Sequence, residues 1–333
     1  MALIALAADK GAPGVTTAAV ALGAVWPRPV LVAECDQAGG DLVYRLPAAA
    51  PDGRTGGQAT GRQGGDAGML NPARGLLSLA ATARRGLRPD QIGEHCQRLV
   101  GGLDVLVGLT NAEQAQAMTW LWGPLGRAFA GLGPVDVIAD CGRLGAGTPL
   151  TELLREADLV VLLTRATLEQ VAHLRERVAA LTAELRGGPP LGVLVLADPR
   201  DFRGSIAEVD RIIAGARGRQ APDPAAPGGP PPEVRVLGGL ALDPKGADLL
   251  SGRWGGRLDR SLLIRSAREV AGALVARLDA APASAPPASA PLMQDMRDAA
   301  GEPAPHADGR PVPPPGARAE QVPAGGRHEE RGR

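Results

Sequence analysis

The sequence predicts an α/β fold, with a mostly parallel sheet and helices on both faces, from three observations. Short apolar runs alternate with longer segments of helical pattern through most of the chain. This alternation favours parallel strands joined by helices, in a sheet that is covered on both faces. Hydrophobic residues make up 44% of the chain, which is enough for a core, but aromatic residues make up only 2%. Ala, Val and Leu must therefore supply the packing. The third observation is a glycine-containing turn between the first predicted strand and the first predicted helix.

The predicted strands are mainly apolar runs that are too short for helices. The run that begins at Val30 leads directly into Glu34, and the run 135–139 contains one charge, Asp136, and ends at Asp140. In chain order, the strands are predicted at residues 2–8, 30–33, 135–139, 157–164, 191–196 and 234–237.

The predicted helices are the longer segments between these runs. The segment 76–100 has a turn near Gly86, and the segment 112–132 contains Trp120 and Trp122. Two residues this close cannot share one helix face, so we expect one of the tryptophans to be exposed or at an interface. In chain order, the helices are predicted at residues 16–25, 76–100, 112–132, 150–156, 168–185 and 259–278.

The domain organisation follows from shifts in composition. We expect one α/β domain over residues 1–278, with a flexible insertion at about 51–72 and a Pro/Gly-rich linker at about 215–232. Residues 279–333 are rich in Pro, Ala and Gly and lack the apolar content to fold alone, so they are predicted to form a disordered tail. A short stretch of the tail, 291–300, is not basic, and we do not expect it to bind a membrane surface.

Charge and cysteine content narrow the class of protein. The formal net charge is +0 and the pI is about 6.9, so no overall charge attracts nucleic acid or an acidic membrane. Arg84, Arg85 and Arg88 form a local basic patch that is typical of a solvated helix face and only weakly indicates nucleic-acid binding. No apolar stretch is long enough for a membrane span, and no basic leader precedes the first apolar run. Three cysteines without metal-binding spacing fit a reduced, cytoplasmic chain.

The loop between the first strand and the first helix, residues 10–17, resembles a phosphate-binding loop. In that context, backbone N–H groups and a helix N-terminus can hold phosphate. Against the pattern G-x-x-x-x-G-K-[ST], Gly14 and Thr16 match, but Asp9 replaces the first glycine and Val15 replaces the lysine. The simpler alternative is that the glycine turn is only a tight connection.

Two observations favour a nucleotide site over a tight connection. Only two of the 36 basic residues are lysines, and one of them, Lys10, lies at the mouth of this loop, where an ammonium acts as a point charge for phosphate. In addition, Asp36 and Asp140 follow two predicted strands. Carboxylates at the carboxyl ends of parallel strands face the ligand crevice, and Mg²⁺ prefers such oxygen ligands.

With these motifs, residues 1–278 resemble the MinD/ParA family of P-loop ATPases, including the branch found with pilus and secretion systems. Lys10 matches the signature lysine of the family's deviant loop, K-G-G-x-G-K-[ST]-T. Asp36 matches the second carboxylate of its D-x-D element, with Glu34 at the first position, and Asp140 matches the end of the Walker B strand. Segments 102–115, 157–164 and 239–244 resemble later parts of the family in the same order.

The resemblance implies a three-layer P-loop NTPase fold, ATP and Mg²⁺ as cofactors, and a nucleotide-dependent homodimer that docks a protein partner. It implies that Lys10 reaches the partner's nucleotide, that Asp36 positions water, and that Thr16 and Asp140 hold Mg²⁺. The residues that it assigns to nucleotide binding are Lys10, Gly11, Gly14, Val15, Thr16, Thr17 and Asp243.

Three departures leave hydrolysis open. Val15 removes the ammonium that bridges the terminal phosphates, Pro13 removes an N–H donor, and Asp9 adds a negative charge near the phosphate. Two compensations are open: Lys10 folding back onto the nucleotide of its own subunit, or an arginine entering from a partner, for which Arg143 is a candidate. The alternatives are a working ATPase switch that positions DNA, division or pilus and secretion components, a non-hydrolysing scaffold that retains the fold, and an unrelated α/β enzyme.

Overall fold

The sheet is the central layer of the molecule. The computed structural model describes residues 1–11, 14–49, 68–219, 229–252 and 257–280, all of which belong to one unit, Met1–Ser284. In these residues, eight strands form one sheet in the order β3-β4-β2-β5-β1-β6-β7-β8, and every neighbouring pair is parallel except β3 and β4. The strands are β1 (Leu3–Ala8), β2 (Val30–Glu34), β3 (Gln97–Arg98), β4 (Asp104–Leu106), β5 (Asp136–Arg143), β6 (Leu159–Arg165), β7 (Leu191–Ala197) and β8 (Val234–Ala241).

Helices cover both faces of this sheet. The α-helices of the described residues are α1 (Val15–Ala24), α2 (Leu42–Arg45), α3 (Leu76–Ala83), α4 (Pro89–His95), α5 (Ala112–Ala117), α6 (Trp122–Ala130), α7 (Thr151–Arg155), α8 (Leu168–Glu184), α9 (Phe202–Arg219), α10 (Pro244–Leu250) and α11 (Leu262–Ala280). Across the described ranges, no helix combines the length and apolarity needed to cross a membrane.

Strand β1 shows how the sheet separates two cores. Its side chains point alternately to opposite faces, so Leu3 joins one buried cluster and Ile4 joins the other. The first cluster contains residues of α3, α4, α6, α7, α8 and α9, whereas the second contains residues of α1, α2 and α11. The predicted three-layer α/β fold, with a mostly parallel sheet, is therefore confirmed.

The buried aspartate in β5 is a structural residue at the amino end of the sheet. Asp136 accepts hydrogen bonds from the Ala2 N–H at 2.7 Å, the Trp26 indole at 2.8 Å and the Arg28 guanidinium at 2.7 Å. These bonds compensate for burying the carboxylate. They join β1 and β5 to the chain that leads into β2, at the edge of the sheet opposite to the loop 9–14.

Two predicted helices are shorter than expected. The segment 76–100 forms α3 and α4, and its last residues form β3, which pairs with β4. The segment 112–132 is divided between α5 and α6 by a short 3₁₀ turn, Thr119–Leu121. Pro124 lies in the first turn of α6, where its missing N–H breaks no bond. The break also separates the tryptophans: Trp120 is 43% exposed and Trp122 is fully buried, as predicted.

Other differences lie near the predicted linkers. The structure adds α9 and α10, which were not predicted, and α9 continues to Arg219, into the predicted linker 215–232. Strand β5 continues past Asp140 to Arg143, because its last residues still run beside the end of β1. The insertion 51–72 lies mostly outside the described residues, and so does the tail, apart from the last two residues of α11.

Candidate functional site

Three adjacent strands bring the predicted site residues together. Strand β5 lies between β1 and β2, and Asp140 is in register with Leu6 on one side and Glu34 on the other. The loop after β1, the loop after β2 and the end of β5 therefore meet at one edge of the sheet. This is the carboxyl edge, where parallel α/β sheets bind ligands.

The loop after β1 is built on glycines in left-handed conformations. Gly14 has φ 92° and ψ 49° and immediately precedes α1, and Gly11 has φ 85°. No side chain of the described residues caps α1, so the N–H groups of its first turn remain available at the loop. The Gln170 side chain of α8 covers Gly11, where an added Cβ would lie 2.9 Å from Nε2. Residues 12 and 13, including Pro13, lie outside the described residues.

Asp140 is buried beside Thr16 with one oxygen unused. Its Oδ1 accepts a hydrogen bond from the Gly142 N–H at 3.1 Å, whereas its Oδ2 is buried and accepts no hydrogen bond of good geometry among the described residues, although the Thr16 hydroxyl lies beside the carboxyl. Burial raises the pKa of this carboxyl to about 7, the negative charges of Glu34 and Asp36 add to the rise, and the Thr16 hydroxyl and the Gly142 N–H oppose it. A buried, unpaired carboxylate oxygen beside a hydroxyl is a suitable ligand for a cation.

Both carboxylate oxygens of Glu34 accept hydrogen bonds from backbone N–H groups. Its Oε1 accepts hydrogen bonds from the Asp41 N–H at 2.8 Å and the Leu42 N–H at 3.0 Å, and its Oε2 accepts from the Gly108 N–H at 2.9 Å. Burial raises the pKa of Glu34, and these three amides oppose the rise. Glu34 therefore anchors the start of α2 and the end of β4, although the resemblance placed it in a D-x-D element.

Asp36 lies over the backbone at the end of β5. A Cβ added at Gly142, which has φ 56°, would lie 2.0 Å from the Asp36 carboxylate. Burial raises the pKa of Asp36, while the Ala38 N–H and the positive charge of Arg143 oppose the rise. Asp36 is only partly buried and faces the same edge as Asp140, which is where the sequence placed it.

At the mouth of the loop, the negative charge of Asp9 is paired with a cation, which the sequence did not predict. Asp9, expected to oppose phosphate, is bound by Arg177 of α8, with Nε 2.6 Å from Oδ1. Arg177 also donates a hydrogen bond to the Gly145 carbonyl at 3.1 Å. Lys10 is exposed, and Val15 is 6% exposed and packs in the core beneath α1. The loop thus has its negative charge neutralised and one exposed ammonium.

Arg45 of α2 also lies at this edge, although no sequence motif predicts it. Its Nη2 donates hydrogen bonds to the Thr17 hydroxyl at 3.1 Å and to the Ser251 hydroxyl at 3.3 Å. Thr17 is in the first turn of α1, and Ser251 follows α10. No motif or spacing in the sequence relates these three residues.

Asp243 has a clear structural task. Its Oδ1 accepts a hydrogen bond from the Gly246 N–H at 2.9 Å, and its Oδ2 accepts from the N–H groups of Leu262 at 2.9 Å and Leu263 at 3.3 Å. The carboxylate therefore caps α10 and α11 together. Its assignment to nucleotide binding stays a prediction.

The residues present fit a magnesium ion that is bound together with phosphates. Within the described ranges, no group of three or more His, Cys, Asp or Glu residues has the arrangement of a metal site. Mg²⁺ usually takes one or two carboxylates, with phosphate oxygens and waters as its other ligands. The free oxygen of Asp140 and the hydroxyl of Thr16 match that pattern.

Comparison with known proteins finds solved structures with a similar fold, but no protein of similar sequence among the family models and curated proteins. No protein-family model and no curated protein matches the sequence. Among solved structures, a ParA family ATPase from Chlorobium tepidum has a TM-score of 0.54 at 16% identity, over 81% of this chain and 97% of that one. The cell division ATPase MinD of Pyrococcus furiosus has a TM-score of 0.53 at 15% identity, over 83% and 99%.

A third similar structure is the MinC:MinD cell division protein complex of Aquifex aeolicus, with a TM-score of 0.51 at 12% identity, over 83% of this chain and 96% of that one. The matches cover more than 80% of this chain and nearly the full length of each neighbour. At these identities the likeness concerns architecture. The chain therefore has the fold of the MinD/ParA ATPases.

Proposed function

We propose that this protein binds a magnesium nucleotide at the carboxyl edge of the sheet and works as a nucleotide-dependent dimeric switch. The observation that supports this most directly is the free oxygen of Asp140, buried beside Thr16 at the start of α1. A buried carboxylate oxygen without a partner is costly, and a bound cation removes that cost.

The cofactors in this proposal are ATP and Mg²⁺. The N–H groups of the first turn of α1 and the loop around Gly11 and Gly14 hold phosphate, and Thr16 and Asp140 hold the metal. Bound Mg²⁺ supplies positive charge to the phosphate oxygens. Gln170 and Arg177 hold the loop from α8, and Arg177 neutralises Asp9, which would otherwise repel the phosphates.

The dimer in this proposal depends on Lys10. Its ammonium is exposed at the mouth of the loop, so it is free to approach the nucleotide of a second subunit. Asp36 faces the same edge, and we assign it to positioning water, with Arg143 beside it. The switch docks a protein partner and positions DNA, division components or pilus and secretion components. The similar MinC:MinD complex supports docking of this kind.

A second function is a scaffold that binds nucleotide without hydrolysing it, or does not bind it. The burial of Val15 favours this alternative, because this side chain packs in the core and α1 offers no ammonium for the terminal phosphates. Both functions use the same fold, but the scaffold does not hydrolyse ATP. Phosphate release from the wild type and from Asp36→Asn distinguishes them.

The test of the switch is calorimetry of Mg-ATP binding, with light scattering on the same samples, for the wild type and Lys10→Ala. Arg98→Ala is the control, because it removes an exposed cation on β3, four strands from β1. We expect the wild type and the control to bind ATP and dimerise, and Lys10→Ala to lose ATP-dependent dimerisation. A wild type that does not bind ATP at millimolar concentration would contradict the switch and favour the scaffold.

A further inference from the structure

The site has a cation at the first turn of α1 despite the loss of the loop lysine. The guanidinium of Arg45 is 30% exposed, and its Nη2 contacts the Thr17 hydroxyl at 3.1 Å. The Thr17 hydroxyl itself faces the loop, since a Cβ added at Gly14 would lie 3.9 Å from its oxygen. Arg45 therefore brings a positive charge to the first turn of α1, where Val15 provides none.

The contacts around Arg45 leave much of its positive charge available to a ligand. Among the described residues Arg45 has three acceptors, and two of them, Thr17 and Ser251, are neutral hydroxyls. The third, Asp41, is 3.4 Å from Nη1 and is more than half exposed, so solvent weakens the attraction. A guanidinium has five N–H donors, and these contacts use only part of them.

The position of Arg45 is built into the fold. Arg45 ends α2, and buried Glu34 holds the first N–H groups of that helix. Glycine is required beside this anchor, because a Cβ at Gly40 would lie 2.2 Å from the Glu34 carboxylate. The Glu34 carboxylate at the end of β2 thus sets where the guanidinium meets α1.

We propose that Arg45 is the phosphate-directed cation of this site and takes over binding energy that the lysine at position 15 supplies in other loops. The proposal rests on the proposed nucleotide function. A second sign of a ligand near the first turn of α1 is Asp140, which is 1% exposed and has an oxygen without a hydrogen-bond partner among the described residues. Phosphate is the chemistry that a guanidinium fork and free helix N–H groups recognise together.

The test is calorimetry with Mg-ATP and with adenosine for the wild type, Arg45→Gln, Arg45→Lys and the control Arg98→Ala. Arg45→Gln keeps hydrogen-bond donors for Thr17 and Ser251 but removes the charge, and Arg45→Lys keeps the charge without the fork. We expect Arg45→Gln to weaken ATP binding about tenfold or more, and Arg45→Lys to remain within about threefold of the wild type. Adenosine binding should change less than about twofold.

The outcomes separate this proposal from the one on which it rests. Wild-type binding of ATP with an equal affinity in Arg45→Gln would overturn the role of Arg45 and leave the nucleotide function intact. Equal losses in Arg45→Gln and Arg45→Lys, with matching losses of thermal stability, would show a structural role and also overturn it. A wild type that binds no ATP would contradict the nucleotide function itself.

Discussion

Arg177 of α8 binds Asp9, the first residue after β1, with 2.6 Å between Nε and Oδ1, and both side chains are mostly buried. The pair joins a helix on one face of the sheet to the start of the phosphate loop. It also explains how an aspartate can occupy a position where phosphate-binding loops normally have glycine.

Removing Arg177 should therefore harm both stability and nucleotide binding. We expect Arg177→Ala to lower the free energy of unfolding by about 2 to 3 kcal/mol, because the mostly buried Asp9 charge loses its close cation and keeps only the longer contact to His173, at 3.9 Å, among the described residues. ATP affinity should fall as well, and Asp9→Asn in the same chain should restore most of both losses. Denaturant unfolding and calorimetry measure them.

Arg175→Ala is the matched control, since Arg175 is an exposed arginine on the same helix. It should leave the free energy of unfolding within about 0.5 kcal/mol of the wild type. Equal effects of the two arginine variants would contradict a special role for the pair with Asp9.

The raised pKa of Asp140 predicts that stability depends on pH. The folded state holds this proton up to about pH 7, whereas the unfolded chain releases it near its ordinary value of 3.8. The contribution of Asp140 to stability is therefore highest below about pH 4 and falls as pH rises to 7, with a slope of up to about 1.4 kcal/mol per pH unit. Asp140→Asn should lack this contribution.

The measurement is denaturant unfolding of the wild type and Asp140→Asn from pH 4 to pH 8. The difference between the two isolates Asp140 from the other carboxylates, and the variant should become the more stable protein as pH rises. A difference that stays constant over this range would show that the carboxyl titrates normally.

The same proton should compete with magnesium. Because the metal binds the ionised carboxylate, we expect the affinity for Mg-ATP to fall below pH 7, by up to about tenfold per pH unit. Calorimetry in buffers of different ionisation enthalpy would also detect the released proton. An affinity that does not change between pH 6 and pH 8 would argue against Asp140 as a metal ligand.

Gly142 should be intolerant of any side chain. Alanine there would place its Cβ 2.0 Å from the Asp36 carboxylate, in a left-handed backbone conformation. We expect Gly142→Ala to lower the free energy of unfolding by about 1 to 3 kcal/mol and to displace Asp36, so that any ATP hydrolysis is lost. Gly145→Ala is the control, since open space surrounds that position. Similar stabilities of the two variants would refute the close approach.

Glu34 should be important for stability, because its carboxylate accepts hydrogen bonds from three backbone N–H groups. We expect Glu34→Ala to cost about 3 kcal/mol, because three N–H groups, two of them in buried hydrogen bonds, lose their acceptor. Glu34→Gln should be nearly as harmful, since its amide nitrogen would meet either the Gly108 N–H or those of α2. Glu94→Ala, which changes an exposed glutamate, serves as the control in the same unfolding experiment. A harmless Glu34→Gln would mean that fewer amides depend on this carboxylate.

Much of the fold could be predicted from the sequence because buried parallel strands are apolar throughout. The runs that became β1, β6 and β7 stand out for that reason, whereas β5 was recognised although it contains the charge of Asp136. β3 could not be recognised, since its two residues are polar and form a strand only by pairing with β4. Helix α10 was also missed, because it begins at a proline and is short.

The candidate site was predicted in part. The position of Thr16, Asp36 and Asp140 at one edge follows from strand ends in a parallel sheet. The structural roles of Glu34 and Asp243 could not be predicted, because a sequence does not show which backbone N–H groups will donate hydrogen bonds to a carboxylate.

By itself, the sequence determined the alternation of strands and helices, the glycine loop before α1, and the carboxylates Asp36 after β2 and Asp140 within β5. Each of these is a local pattern, readable from neighbouring residues. Only the tertiary structure decided which charges meet: Arg177 reaches Asp9 across 168 positions, and Arg45 reaches Thr17 across 28. Such pairs depend on how helices pack on the sheet, and the strength of an ion pair depends on burial, which no local spacing records.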